Sequence, residues 1–358
     1  MTKTISKLKN NIEYIYKKND NTPRMALCLN LSINQPDKKA GVYSLMARLL
    51  LQGTKNYNSE ELANEFEKEK IKLTGEITAE LDSPRVVAMD AYARAVFGNH
   101  YYGNSVTKIL ENLNDITKED VIEAYNQILT DSKKSLAVVG ALDKDTTLPD
   151  IEKTIGELPP SVDNHFRLEK PELTETKKIE NTKSDLNQAH IIKGWLVPTL
   201  GEEDYPALIL LNIILGACGL SSRLFLELRD KKGLAYVVRS SYETYKLVAS
   251  FMIYIATEPK NIDVSLKGFD EEIEKIKTIP VSESELNDAK NNLIGKCAFL
   301  EETNVQQACG YAKYGVLGLG FDYAQTMKEK VKQVTSEQIL NCAKKCFNDT
   351  YVLSIIKP

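Results

Sequence analysis

Arg229 and Tyr236 stand seven residues apart in the stretch CGLSSRLFLELRDKKGLAYVV, residues 218–238, and both side chains end in hydrogen-bond donors. The stretch reads as a Gly-rich approach, a Ser N-cap at Ser221 or Ser222, and a short amphipathic helix with Leu220, Leu224, Phe225 and Leu228 on one face. Gly233 is a left-handed stop after Lys231 and Lys232, and a strand begins at Leu234. The helix thus ends with Arg229 in its last turn, and the chain reverses to bring Tyr236 back from the adjacent strand. A fixed cation and a phenol can then share one side of a cleft. Each also has an ordinary structural use, since Arg is favourable at a helix C-terminus and Tyr packs well in strands.

Other residue types capable of chemistry are poorly placed for it. The three histidines, His100, His165 and His190, fall in a turn, in a linker and at the start of a strand, with no pair at helical spacing. Cys342 and Cys346 are four apart on the last helix, where core packing explains them. Cys218 has no recognisable base beside it. The Gly-rich GVLGLGFD, residues 315–322, follows a helix, whereas a phosphate-binding loop follows a strand. Six cysteines without a CxxC pair suit a reducing compartment better than a disulfide frame.

The elements that must position these residues can be read in chain order. Strands are expected over 12–17 and 25–33, then a helix over 41–51 stopped by Gly53, a helix over 60–70 capped by Ser59, and a strand over 72–81 broken by Pro84. Helices follow near 86–97 and 106–113, then one capped at Thr117, and a strand over 135–140. Residues 159–182, rich in Pro, Glu, Lys and Thr, read as a linker between a domain spanning 1–158 and another spanning 183–358. The chain has 358 residues, enough for two cores, and a formal charge of −4 without any Lys/Arg block, which argues against a nucleic-acid surface. No run of about 18 apolar residues and no signal-like leader is present, so a cytoplasmic protein without a membrane segment is expected.

The second half repeats the first. DITKEDVIEAYNQILTDSKKSLAVVG aligns with QVTSEQILNCAKKCFNDTYVLSIIK, Thr117 opposite Thr335 and Leu129 opposite Phe347, an offset of 218 residues. GVYSLMARLLLQG aligns with ALILLNIILGACG, Gly53 opposite Gly219, an offset of 166. The first half therefore lacks about 50 residues that the second retains. The alignment puts the gap near Asp82–Pro84, opposite a strand and about two helices in 249–301.

The duplicated halves, GLSSRLFLELRDKKGLAY and GVYSLMARLLLQGT together resemble the M16 family of zinc metallopeptidases, the pitrilysin, insulinase and mitochondrial processing peptidase family, in its short two-domain bacterial form. The resemblance implies an α+β protein of two homologous M16-type (LuxS/MPP-like metallohydrolase) α/β sandwich domains, the first shortened. It also implies that Arg229 and Tyr236 bind the substrate backbone. A guanidinium and a phenol can polarise a peptide carbonyl and stabilise an oxyanion. Active members carry H-x-x-E-H on the helix before the Gly-Thr, where two His hold zinc and the Glu is the general base. Those three positions are Ser44, Ala47 and Arg48, and none can serve. The family's third ligand, a Glu on a later helix, is expected to lie in the missing segment.

The expectation is a chain that hydrolyses nothing alone and binds no cofactor, with zinc only in a partner. That partner would be an M16 homologue with an intact zinc motif, or a second copy, with Arg229 and Tyr236 contributed to a composite peptidase site. The rival expectation is a scaffold of the same fold without a role in proteolysis.

Overall fold

The computed structural model describes residues 3–50, 59–141, 143–163, 168–184 and 186–358, and the side chains of all of these except 59–63. Gly53, the side chain of Ser59 and His165 lie outside what is described. The fold is mixed α/β. In the first half β1 (Lys3–Lys7), β2 (Glu13–Lys18) and β3 (Met25–Leu31) precede α1 (Val42–Leu49), α2 (Ser59–Leu81), α3 (Pro84–Phe97), α4 (Val106–Asn112) and α5 (Lys118–Thr130). They are followed by β4 (Lys134–Gly140) and α6 (Lys144–Thr154). The second half runs β5 (Lys177–Thr182), β6 (Ala189–Val197), α7 (Tyr205–Asn212), β7 (Ala235–Thr244) and β8 (Ala249–Thr257). It closes with α8 (Ile262–Thr278), α9 (Glu283–Phe299), α10 (Asn304–Val316), α11 (Tyr323–Gln333), α12 (Ser336–Cys346) and β9 (Val352–Lys357).

Residues 72–81, expected as a strand, continue α2 instead. Lys72–Leu73–Thr74 and Glu76–Ile77–Thr78 do alternate polar with apolar. The residues buried, however, are Phe66, Glu69, Leu73 and Ile77, a stripe of helical period that continues from the preceding turns.

Two sheets share one pairing scheme. In the first, ordered β1–β2–β4–β3, β2 runs parallel to β4 and β3 antiparallel to it. In the second, ordered β5–β9–β6–β8–β7, β5 and β6 pair with β9 in the same two senses. The second sheet continues past β6 with β8 and β7; the first ends at β3.

The chain forms two compact units, each discontinuous in sequence. One comprises Met1–Lys38, Thr117–Leu168 and Ile294–Glu329. Its sheet has α6 on one face, where Ile151 packs with Tyr14, Tyr16, Leu136 and Val138, while α10 from the other half of the chain covers the opposite face through Ala308 and Ala312. Period-two alternation along β2 and β4 feeds both layers. Gly315 allows α10 to lie close, because a Cβ there would stand 2.1 Å from Ser135 Oγ.

The other unit comprises Lys39–Ile116, Glu169–Leu293 and Lys330–Pro358. Here α3, from the first half of the chain, packs Ala88, Tyr92, Val96 and Phe97 on Ile192, Met252, Tyr254 and Val352 of the second sheet. Tyr92 Oη is hydrogen-bonded to Ser250 Oγ at 2.8 Å. Its ring fills the space over Gly194, where a Cβ would meet Tyr92 Oη at 2.2 Å. On the opposite face Trp195 and Phe251 both pack on Phe347, which follows α12, and Trp195 Nε1 donates to Asn348 O at 3.0 Å. The repeat-related helices α3 and α10 are thus exchanged between halves, each lying on the sheet of the other half.

Candidate substrate-contact site

A polar anchor and two buried leucines set the Arg229 segment. Arg223 is held bidentately by Glu285 of α9, Nε and Nη2 each 2.7 Å from a carboxylate oxygen. Leu224 and Leu228 are fully buried. Leu220, expected on the same face, is 72% exposed because it precedes the helix in a separate turn. Ser222 has N-cap backbone geometry and its carbonyl accepts from Leu226 N at 3.0 Å, yet its hydroxyl donates back to Gly219 O at 2.7 Å and caps no amide.

From Phe225 to Lys231 the helix widens into a π-helical turn, closed by Lys232 N donating to Glu227 O at 3.2 Å. Gly233, at φ +61°, ends it as expected, and Leu234 N reaches back to Leu228 O at 2.9 Å. The strand β7 then starts with a bulge. Ala235 pairs with Thr257 and Val237 with Ala256, so Tyr236 is an extra residue without a place in the ladder. Its side chain is 76% exposed.

The bulge brings Tyr236 and Arg229 together. The Arg229 guanidinium carbon lies 4.7 Å from the Tyr236 ring centroid and 4.6 Å from that of Phe225. The cation is therefore flanked by two aromatic rings, one four residues earlier on its own helix and one from the edge strand. Among the described residues no carboxylate pairs with Arg229; the nearby Glu227 is taken by Lys231. The guanidinium fork and the phenol of Tyr236 remain able to donate to an incoming oxygen. Phe225 entered the sequence reading only as an apolar helix residue, although its i, i+4 relation to Arg229 was a usable signal.

Ser44, Ala47 and Arg48 lie on α1, the first two exposed. Arg48 grips Glu76 of α2 with both terminal nitrogens, Nη1 to Oε1 at 3.1 Å and Nη2 to Oε2, and Nη1 lies 3.8 Å from Glu69 Oε2. A helix that carries carboxylates to α1 is thus present, contrary to the expectation that it lay in the missing segment. The hydrogen bond to Arg48 holds the Glu76 carboxyl below the ordinary carboxylate value, and the same bond raises the Arg48 guanidinium above its own. The donor set at positions 44, 47 and 48, a hydroxyl, a methyl and a guanidinium, does not fit the zinc that the family resemblance implies. Among the described residues no cluster of three or more His, Cys, Asp or Glu could hold a metal ion.

The remaining candidates are absorbed by packing. His100 Nδ1 accepts from Tyr102 N at 3.1 Å, and His190 Nδ1 is hydrogen-bonded to Tyr254 Oη at 2.9 Å. Cys342 and Cys346 are buried. Gly318 and Gly320, both at positive φ, turn the chain after α10, with Leu319 N bonded to Tyr314 O at 3.0 Å. No helix among the described residues is long and apolar enough to cross a membrane.

Comparison with known proteins agrees with this architecture. Residues 115–293 match the family described as Peptidase M16 inactive domain, and the chain belongs to that family. It is 28% identical over 296 residues to the uncharacterized zinc protease YmxG of Bacillus subtilis, covering 82% of this chain and 71% of the relative. A peptidase M16 inactive domain from Pseudomonas fluorescens superposes with a TM-score of 0.89 at 18% identity, covering 100% of this chain and 98% of the other. A chain of complex III from Candida albicans gives 0.82 at 14%, covering 99% and 95%.

Proposed function

We propose that this chain is a non-catalytic subunit that pairs with a zinc-bearing M16 homologue and contributes Arg229 and Tyr236 to peptide binding in a composite peptidase site. The observation that carries the reading is the Arg229 guanidinium within 4.7 Å of the rings of Phe225 and of Tyr236, the latter at the start of edge strand β7, with no carboxylate paired to it among the described residues. An extended peptide adjoining that edge would offer carbonyl oxygens to both donors. Zinc and the general base would come from the partner.

A first domain shortened as the family resemblance implies would suit an associating chain, and the first sheet supports that reading. That sheet stops at β3, where the second sheet goes on with β8 and β7, and β3 leaves Met25 41% and Leu27 43% exposed. Association with a paralogue, or with a second copy, would cover that edge. A stable monomer in isolation contradicts this part of the proposal.

The test is recovery of the tagged protein from its own cells, with the complex assayed for zinc and for cleavage of a peptide library. A zinc-bearing homologue whose activity falls on Arg229→Ala and on Tyr236→Phe is the expected outcome. Activity indifferent to both substitutions, or the absence of any homologue, moves the protein to a scaffold role, which the fold likeness to a complex III chain favours as the second reading.

A further inference from the structure

Helices α1 and α2 pack together, and Arg48 of the first faces Glu69 and Glu76 of the second. Position 48 is where the family resemblance places the second histidine, and the side chain there reaches two carboxylates two turns apart on α2. Glu69 is the more constrained of the two, only 4% exposed, with its other oxygen 2.5 Å from Lys72 Nζ. A buried carboxylate has to be matched by positive charge or hydrogen bonds. Lys72 supplies the close partner on the same helix, and Arg48 adds a second positive charge at 3.8 Å from the opposite helix while its planar fork fits the more exposed Glu76 bidentately.

We propose that Arg48 is a resident cation standing where a relative would hold its metal: the chain keeps the carboxylate side of a cation site, Glu69 and Glu76, and fills it with its own guanidinium. The side chain thereby ties α1 to α2 and closes the carboxylates to divalent ions, since a second cation would enter against the first. Lack of histidines is then only half of why the site does not take zinc. This inference does not depend on the role of Arg229 and Tyr236.

One substitution should reopen the site. Arg48→His removes the guanidinium and sets an imidazole beside two carboxylates, a ligand set of the kind zinc and cobalt accept. The full chain and its variants are titrated with Co²⁺ and with Zn²⁺ by calorimetry, with the visible Co²⁺ spectrum and the melting temperature as further readouts. The unaltered chain is expected to take up no equivalent of either ion. Arg48→His is expected to take up one, with a Co²⁺ band and a raised melting temperature, both lost in Arg48→His/Glu76→Gln. One equivalent bound by the unaltered chain and lost on Glu76→Gln overturns the proposal, as does a folded Arg48→His that binds no metal. Should Arg48→His fail to fold, a cycle decides: Arg48→Ala lowers the melting temperature, and Arg48→Ala/Glu69→Gln/Glu76→Gln recovers most of the loss. A triple variant no more stable than Arg48→Ala overturns it equally.

Discussion

The ring of Tyr236 lies 4.7 Å from the guanidinium of Arg229 only because Tyr236 is the extra residue of a bulge. In a regular ladder it would take a partner on β8 and point with its strand. Freed from the ladder, it is mostly exposed and helps hold the cation in a fixed plane. Such a stack contributes about 0.5–1 kcal/mol at an exposed site. Tyr236→Ala should therefore lower the unfolding free energy in urea by no more than about 1 kcal/mol, while the Arg229 Nε–H resonance loses its ring-current shift. Tyr236→Phe should preserve both. A large loss of stability in Tyr236→Ala would mean that the residue is there for packing.

The two exchanged helices predict unequal costs for two small substitutions. At Gly194 a new methyl meets Tyr92 Oη at 2.2 Å, Tyr92 Cζ at 2.7 Å and the Phe251 carbonyl at 2.9 Å. At Gly315 it meets Ser135 Oγ at 2.1 Å and Phe321 Cε1 at 2.7 Å. Overpacking of this sort costs about 1–3 kcal/mol. Gly194→Ala should lie at the upper end, because Tyr92→Phe leaves the ring in place and deprives Ser250 of its partner. Gly315→Ala should be milder and partly relieved by Ser135→Ala. Urea midpoints of the single and double variants measure both.

What the sequence carries and what it omits divide along physical lines. Thr117 and Thr335 announce their helices by a local bond, and both capping boxes are formed. Gly233 likewise declares its left-handed turn. Residues 72–81 misled because a two-residue alternation and a helical stripe coincide at Leu73 and Ile77, and only the length of the preceding helix separates them. The exchange of α3 and α10 left no mark, since periodicity reports that a face is buried and not which sheet buries it. For the site, Arg229, Tyr236 and the unsuitability of positions 44, 47 and 48 were legible as residue types at a spacing. Phe225 beneath Arg229 and the grip of Arg48 on Glu76 depend on a π-helical turn and on a helix pairing that the spacing does not encode.

The capping boxes give a prediction of known size. Thr117 Oγ1 accepts from Asp120 N at 3.2 Å and Thr335 Oγ1 from Gln338 N at 3.2 Å, and in return each cap amide donates to the side-chain oxygen of that same Asp120 or Gln338. Thr117→Ala and Thr335→Ala should each cost about 1 kcal/mol, and the double variant about the sum, because the caps share no partner. Marked non-additivity in chemical unfolding would show the two repeat-related helices to be energetically linked.

His190 is expected to make its unit less stable in mild acid. Burial in the second sheet pushes its imidazole below the ordinary histidine value, and its Nδ1 is engaged with Tyr254 Oη at 2.9 Å. The folded state therefore favours the neutral ring, while the unfolded chain protonates near pH 6.5. Between the unfolded and the lower folded value the unfolded state binds more protons, so stability is fully present above about pH 6.5 and declines as the pH falls through that window. His100, also lowered by burial, adds to the same slope. Urea midpoints measured from neutral to mildly acidic pH should fall for the natural chain. His190→Gln should be less stable at neutral pH through loss of its packing, yet show a shallower decline into acid. An unchanged slope in a folded His190→Gln would remove this histidine from the account and leave the decline to His100 and the carboxylates.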